Sequence, residues 1–309
     1  MSLERIQLIF ENFDKCDAWS IQLLGIQTSK KYNTTYTGSS IRLTPDGKLN
    51  EFVKEIMNHY SDHEKGALKA FSGVQDYDGT THADIIYKLD MDKLKVTEEY
   101  EAFTDAVNDP NEEGDPLKQK TQAYIIQGTV KNLGEETHVR LISMQNPIRT
   151  LKHKFFYNEK TFSEITDKVL SLRPVVDVVI LDDMVYFLSM AGERLFNMER
   201  AYKTICEDRV SMLESSGILY SADDFAKVAK TGHHPRMFVS FNEQRYEKLK
   251  NLNQREHYAK MFDIPLKDGK FDTSQKEAAG KLVKLLCNKG MVDPFEELPV
   301  EVSSARKWQ

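Results

Sequence analysis

The sequence has no apolar run long enough to cross a bilayer, which takes about 18–20 residues in a helix. Its richest stretch, Pro174–Leu181, is short and interrupted by Asp177. The opening segment MSLERIQLIFENFDK mixes acids into its apolar residues and has no small-residue cleavage site, so no secretory signal is expected. There are only three cysteines, Cys16, Cys206 and Cys287, far apart and without a CxxC or zinc-ligand spacing. Reduced thiols in the cytosol are the natural expectation. The standard catalytic and cofactor signatures are also missing. There is no GxxxxGK[ST] loop, no GxGxxG after a strand, no HExxH and no GxSxG. Nucleotide binding by the usual routes and the common hydrolase chemistries therefore lack support, and no cofactor or metal is expected. An excess of positive charge is absent as well: 42 Lys+Arg face 48 Asp+Glu, a formal net charge of −6. Contact with nucleic acid would need a local basic face rather than bulk charge.

What is present is an ordinary globular composition, 40% hydrophobic and 29% charged, in a chain long enough for one large or two modest domains. Residues 45–60 predict a helix, with Leu49, Phe52, Val53, Ile56, Met57 and Tyr60 on one face. Residues 84–89 (DIIYKL), 122–130 (QAYIIQGTV) and 138–144 (HVRLISM) predict strands from their β-branched and aromatic content. Residues 175–181 and 184–189 form a further strand pair separated only by Asp182-Asp183, which suggests a hairpin. Residues 92–116 carry nine acids against two lysines, and 108–116 read as an exposed loop. After Gly192 the spacing turns helical through Leu195, Met198, Tyr202 and Ile205. Ser221 resembles an N-cap for a helix that should stop near Gly232, and 243–262 and 274–288 are helical in pattern. Strands and helices do not alternate regularly, so the expected class is α+β, with a mixed α/β N-terminal part containing antiparallel strands and a largely helical C-terminal third. The expected domains are 1–160 and 161–309, with no Pro/Gly-rich linker to mark the boundary.

Three kinds of residue could carry chemistry. The carboxylate pairs Asp90/Asp92, Glu112/Glu113 and Asp182/Asp183 are the raw material of a Mg²⁺-dependent nuclease, but adjacent residues of an extended chain point to opposite faces. The His233-His234 pair has no carboxylate or cysteine partner at ligand spacing, so packing or a phosphate contact suits it better than a metal. The strongest positive signal is basic. Lys227, Lys230, Arg236, Arg245, Lys248, Lys250, Arg255 and Lys260 face only Glu243, Glu247 and Glu256 over the same stretch, with His234 beside Arg236. A second cluster holds Arg149, Lys152, His153 and Lys154. Such cations can neutralise phosphates and release counterions, so all of these Lys and Arg apart from Lys260, together with His234, are candidate DNA contacts.

Four segments carry a family resemblance: ISMQNPIRTLKHKF (142–155), VLSLRPVVDVVILDDMVYFLSMAGERLFNMERAYK (169–203), TGHHPRMFVSFN (231–242) and LCNKGMVDPFEELPVEVSSARKW (286–308). From about residue 75 to the end, the chain resembles the KwaB family of the Kiwa anti-phage defence system. The resemblance implies a DNA-binding subunit that forms homodimers and is recruited from the cytoplasm to the inner face of the cell membrane by a KwaA-like membrane protein. It supplies no catalytic residues to transfer. The assignment of DNA contact to 227–260 and 149–154 comes from charge, not from the family. A metal-dependent nuclease effector and a protein-interaction scaffold without DNA binding are the alternative expectations.

Overall fold

The apolar runs become the middle of one large sheet. The computed structural model describes residues 3–13, 16–29, 35–43, 47–111, 121–131, 136–145, 148–150, 155–158, 161–164, 168–293, 295–296 and 298–302. In chain order the first strands are β1 (Cys16–Ser29), β2 (Thr35–Leu43), β3 (Gly73–Asp76), β4 (Ile85–Leu89), β5 (Thr121–Val130) and β6 (Thr137–Ser143). Four short strands follow, β7 (Ile148–Thr150), β8 (Phe155–Asn158), β9 (Thr161–Glu164) and β10 (Lys168–Leu170), and then β11 (Val178–Leu181) and β12 (Met184–Phe187). The eight-stranded sheet runs β2-β1-β5-β6-β11-β12-β4-β3, while β7 pairs with β10 and β8 with β9 outside it. Every neighbouring pair of the large sheet is antiparallel except β3 and β4.

Both faces of this sheet are covered, which is why its central strands read as nearly continuous apolar runs. On one face Leu23, Ile126, Leu141, Val179 and Tyr186 pack with Ile6, Ile9 and Phe10 of helix α1 (Leu3–Asn12) and Val53, Ile56 and Tyr60 of α2 (Gly47–Ser61). On the other face Phe187 meets Phe196, at the end of a 3₁₀ turn (Met190–Phe196), with ring centroids 6.1 Å apart. Beyond the short helix α3 (Met91–Leu94), helix α4 (Thr97–Asn108) completes the cluster, as Tyr100 and Phe103 each lie 6.0 Å from Phe196. The acidic region is thus mostly helix, with Tyr100, Phe103, Ala106 and Val107 buried. Of the expected loop, residues 109–111 follow α4 and 112–116 lie outside the described residues.

The expected hairpin is β11–β12, turning on Asp182, which takes a left-handed φ of 53°. A short polar side chain tolerates this conformation, so Asp-Asp can serve where Asp-Gly is commoner. The compact units divide at Met1–Asp76 with His82–Asn197, and Tyr77–Thr81 with Met198–Gln309. The expected boundary near 160 falls inside the first of these, because β11 and β12 hydrogen-bond to β6 and β4 and so belong to its sheet.

The second unit is mainly helical: α5 (Met198–Ser215), α6 (Ala222–Ala229), α7 (His234–Met237) running into a 3₁₀ turn (Phe238–Ser240), α8 (Glu243–Lys250), α9 (Leu252–Met261) and, after a small hairpin of β13 (Leu266–Lys267) and β14 (Lys270–Phe271), α10 (Lys276–Leu286). Strands β15 (Gly290–Val292) and β16 (Pro299–Glu301) close it. The helical pattern over 243–262 breaks at Asn251, whose side chain accepts the Gln254 N–H at 3.2 Å and starts α9. Ser221 does precede α6, but its side chain makes no capping bond. The chain leaves α6 through Gly232 at φ +62°.

Two cysteines are sealed in the second unit. Burial pushes the Cys206 thiol up to about 12, and its Sγ donates to the Ala229 carbonyl at 3.4 Å; burial also pushes Cys287 up. A thiol held protonated and enclosed does not react. An aromatic disulfide reagent is therefore expected to modify half-buried Cys16 first in the native protein, and Cys206 and Cys287 only after denaturant is added. Rapid native titration of all three would contradict this burial.

Candidate nucleic-acid interface

The basic stretch from Lys227 to Lys260 lies wholly in the second unit. That unit holds nineteen Lys+Arg against eighteen Asp+Glu, whereas the first holds twenty-three against thirty. The chain's negative charge therefore belongs to the sheet unit, and the helical unit is close to neutral with a basic middle.

Within this stretch the arginines and lysines separate sharply. Arg236 sits on α7, where Nε donates to the Gly79 carbonyl at 2.8 Å and Nη2 to the Tyr77 hydroxyl at 2.9 Å. Its guanidinium also lies over the Tyr202 ring, 5.4 Å from the centroid. Arg245 donates from Nη1 to the Leu285 carbonyl at 2.7 Å, and burial lowers its pKa. Arg255 donates to the Leu249 carbonyl at 2.9 Å, the Lys250 carbonyl at 3.1 Å and the Gly269 carbonyl. It thereby caps the exposed C-terminal carbonyls of α8 and ties β13–β14 to them. His234 Nδ1 is 2.8 Å from the Val228 carbonyl, placing its ring N–H on the end of α6. All four side chains serve the fold.

The lysines face water. Lys227 pairs with Asp224 at 2.8 Å, a hydrogen bond that raises its pKa. Lys250 pairs with Glu247 at 2.6 Å and lies over the Tyr246 ring. Such exposed pairs are worth little and can be exchanged for a phosphate. Lys230 and Lys248 are exposed and have no ion-pair partner among the described residues. Arg149 stands on β7, where only the backbone is described, and Lys152 and Lys154 lie outside the described residues. One cation that sequence reasoning did not single out is Lys289, just before β15. It is only 7% exposed, and burial lowers its pKa. Nothing in its spacing signals this; the fold brings it to Arg236 from more than fifty residues away in the chain.

The carboxylate pair goes to structural work. The Asp182 carboxylate accepts the His138 N–H at 3.1 Å, and the Asp183 carboxylate accepts the Tyr100 hydroxyl at 3.1 Å. Together with burial, that bond pushes the Tyr100 hydroxyl up to about 12. The two carboxylates thus serve different partners. Among the described residues no group of three or more His, Cys, Asp or Glu could hold a metal ion. No helix among them is long and apolar enough to cross a membrane.

These features define an α+β protein whose helical unit ties Arg236, Arg245 and Arg255 to its own carbonyls and presents Lys227, Lys230, Lys248 and Lys250 to solvent. A family model described as Kiwa protein KwaB-like matches residues 120–292, more than half the chain, and the chain belongs to that family. Membership associates it with the Kiwa anti-phage defence system. The matched segment runs from β5 of the sheet unit to the end of β15 in the helical unit. No curated protein and no solved structure matches the chain.

Proposed function

We propose that the chain is a DNA-binding subunit of a Kiwa-type complex, acting as a homodimer beside a KwaA-like membrane partner at the inner face of the cell membrane and without catalysis of its own. Family membership supports the defence role. The observation that carries DNA binding is the distribution of charge, with the exposed Lys227, Lys230, Lys248, Lys250 and Lys260 in the unit that lacks the chain's net negative charge. Lys230 and Lys248 are the leading contacts, and Lys227 and Lys250 join by releasing Asp224 and Glu247. Arg236, Arg245, Arg255 and His234 support the scaffold beneath them. Arg149, Lys152 and Lys154 remain candidate contacts on charge alone.

The test is binding to duplex DNA across a salt series with Mg²⁺ present, comparing the protein with a Lys230→Glu/Lys248→Glu double variant. Both positions are exposed, so the variant should melt like the parent. Affinity should fall with salt, the variant should bind about 10–100-fold more weakly, and its salt dependence should be shallower by about one unit of slope per lost contact. DNA left intact after long incubation fits a non-catalytic subunit, whereas Mg²⁺-dependent cutting would establish the nuclease reading in its place. Absence of binding at low salt would leave the scaffold reading.

A further inference from the structure

In the sheet unit a cavity of about 390 Å³ opens between α1, α2 and the start of β1. Its size suits a small organic ligand, and its walls differ in chemistry. One wall is apolar. Phe10 and Phe13 are buried and back it, and the half-buried Trp19 ring stands beside them. The β1–β5 register slips between Cys16 and Trp19, and Trp19 lies across from Gly128. A bulge of this kind re-aims a side chain, and a glycine neighbour brings no side chain to cover the ring.

The other wall is a polar stripe of α2. Asn50, Lys54, Asn58 and Ser61 recur at intervals of four, four and three residues, which stacks them along one side of the helix. None of these four side chains has a hydrogen-bond or ion-pair partner among the described residues. They offer amide, hydroxyl and ammonium donors to whatever enters. Polar side chains on a helix surface are ordinarily just hydrated; these four differ in sharing a cavity with an aromatic ring. The lining holds two charged groups. Glu11 is engaged by the His63 ring at 2.7 Å, and Lys54 is the one charge left without a partner.

We propose that this cavity binds a small planar aromatic anion, with its ring on Trp19 and its acid group at Lys54. Asn50, Asn58 and Ser61 donate to the remaining oxygen acceptors. Ring stacking needs the exposed aromatic face, and a single unmatched ammonium suits a single negative charge. The assignment is independent of the DNA-binding reading, which rests on lysines of the helical unit.

The experiment uses the full chain with Trp308→Phe, which leaves Trp19 as its only tryptophan. The probes are 4-nitrobenzoate and its uncharged twin 4-nitrobenzamide, whose rings quench indole emission on contact. A second readout is the rate at which iodoacetamide alkylates half-buried Cys16, which also lines the cavity. The variants Lys54→Met and Asn58→Asp change exposed positions and should melt like the parent. Nitrobenzoate should quench Trp19 saturably, slow Cys16 alkylation, and bind about tenfold tighter than nitrobenzamide. Lys54→Met should erase that preference, and Asn58→Asp should weaken nitrobenzoate by setting a carboxylate against it, both leaving nitrobenzamide binding unchanged. Equal binding of the two probes, indifferent to both variants, would overturn the assignment of an anion. Nitrobenzoate binding without saturable quenching or Cys16 protection would place the ligand elsewhere and overturn the site. Absence of binding by either probe at millimolar concentration would overturn both.

Discussion

Replacing Asp177 with alanine should destabilise the sheet unit by about 2–4 kcal/mol and lower its unfolding midpoint by about 5–15 °C. Asp177 interrupts the apolar run of 174–181, where a hydrophobic residue would continue the pattern. Its carboxylate accepts the N–H of buried Met144 at 2.7 Å, just past β6, and the hydroxyl of Ser189, just past β12. Its backbone binds the same two places, donating to the Ile142 carbonyl at 2.8 Å and accepting from the Leu188 and Ser189 N–H groups at 2.8 and 3.1 Å. One residue thus fastens the ends of two sheet strands before the chain enters β11. Alanine would keep the backbone bonds and leave the Met144 N–H without its charged acceptor, the expensive case for a buried polar group. Asparagine presents one carboxamide oxygen in place of two, so about half the loss is expected. Calorimetry of the two variants checks the ranking. An alanine variant melting with the parent would show that the side-chain bonds contribute nothing net.

Arg236→Ala should be comparably damaging in the helical unit, by about 3–5 kcal/mol. It removes hydrogen bonds from a charged donor to the Gly79 carbonyl and the Tyr77 hydroxyl, as well as the stacking on Tyr202. Tyr77 and Tyr202 also join hydroxyl to hydroxyl, so the loss spreads through a connected network. Arg236→Lys should recover little, because an ammonium cannot reproduce the two-directional fork or the planar stacking. A thermal melt followed by near-ultraviolet dichroism of the tyrosines reads this directly. The outcome also decides how DNA-binding variants must be interpreted. Charge reversal at Arg236 or Arg245 would abolish binding by disrupting the scaffold, whereas Lys230→Glu/Lys248→Glu would change charge on an intact one. Equal melting of Arg236→Ala and the parent would restore Arg236 as a candidate contact.

The sequence was informative where one kind of signal dominated. β4, β5, β6, β11 and β12 were legible because apolar residues buried on both faces leave an uninterrupted β-branched pattern. The helices α2, α5, α6, α8, α9 and α10 followed from their spacing. α4 was obscured because Glu98, Glu99, Glu101 and Asp105 drew attention to charge, while Tyr100, Phe103 and Val107 carried the helical face. The long pair β1–β2 has no counterpart among the expected strands, and β3, at the sheet edge, is too short to show a period. The basic stretch was legible as charge but not as surface. Whether a guanidinium meets solvent or a carbonyl depends on where helices end in space. For Arg255 those carbonyls come from α8 and from Gly269, beyond the reach of any local pattern. The burial of Lys289 depends on the same kind of distant contact.

The segment Tyr77–Thr81 has a consequence for how the protein is made. It belongs to the helical unit, yet it leaves the ribosome long before the rest of that unit, and Tyr77 precedes its partner Arg236 by 159 residues. The earliest-made piece of the unit must wait, held between β3 and β4, while the entire remaining sheet is synthesised. A gene fragment cut to encode 198–309 alone would supply α5 and α7 without the tyrosine and the turn on which Arg236 closes. A fragment meant to carry the helical unit must therefore bring Tyr77–Thr81 with it, from a place in the gene far upstream of the rest.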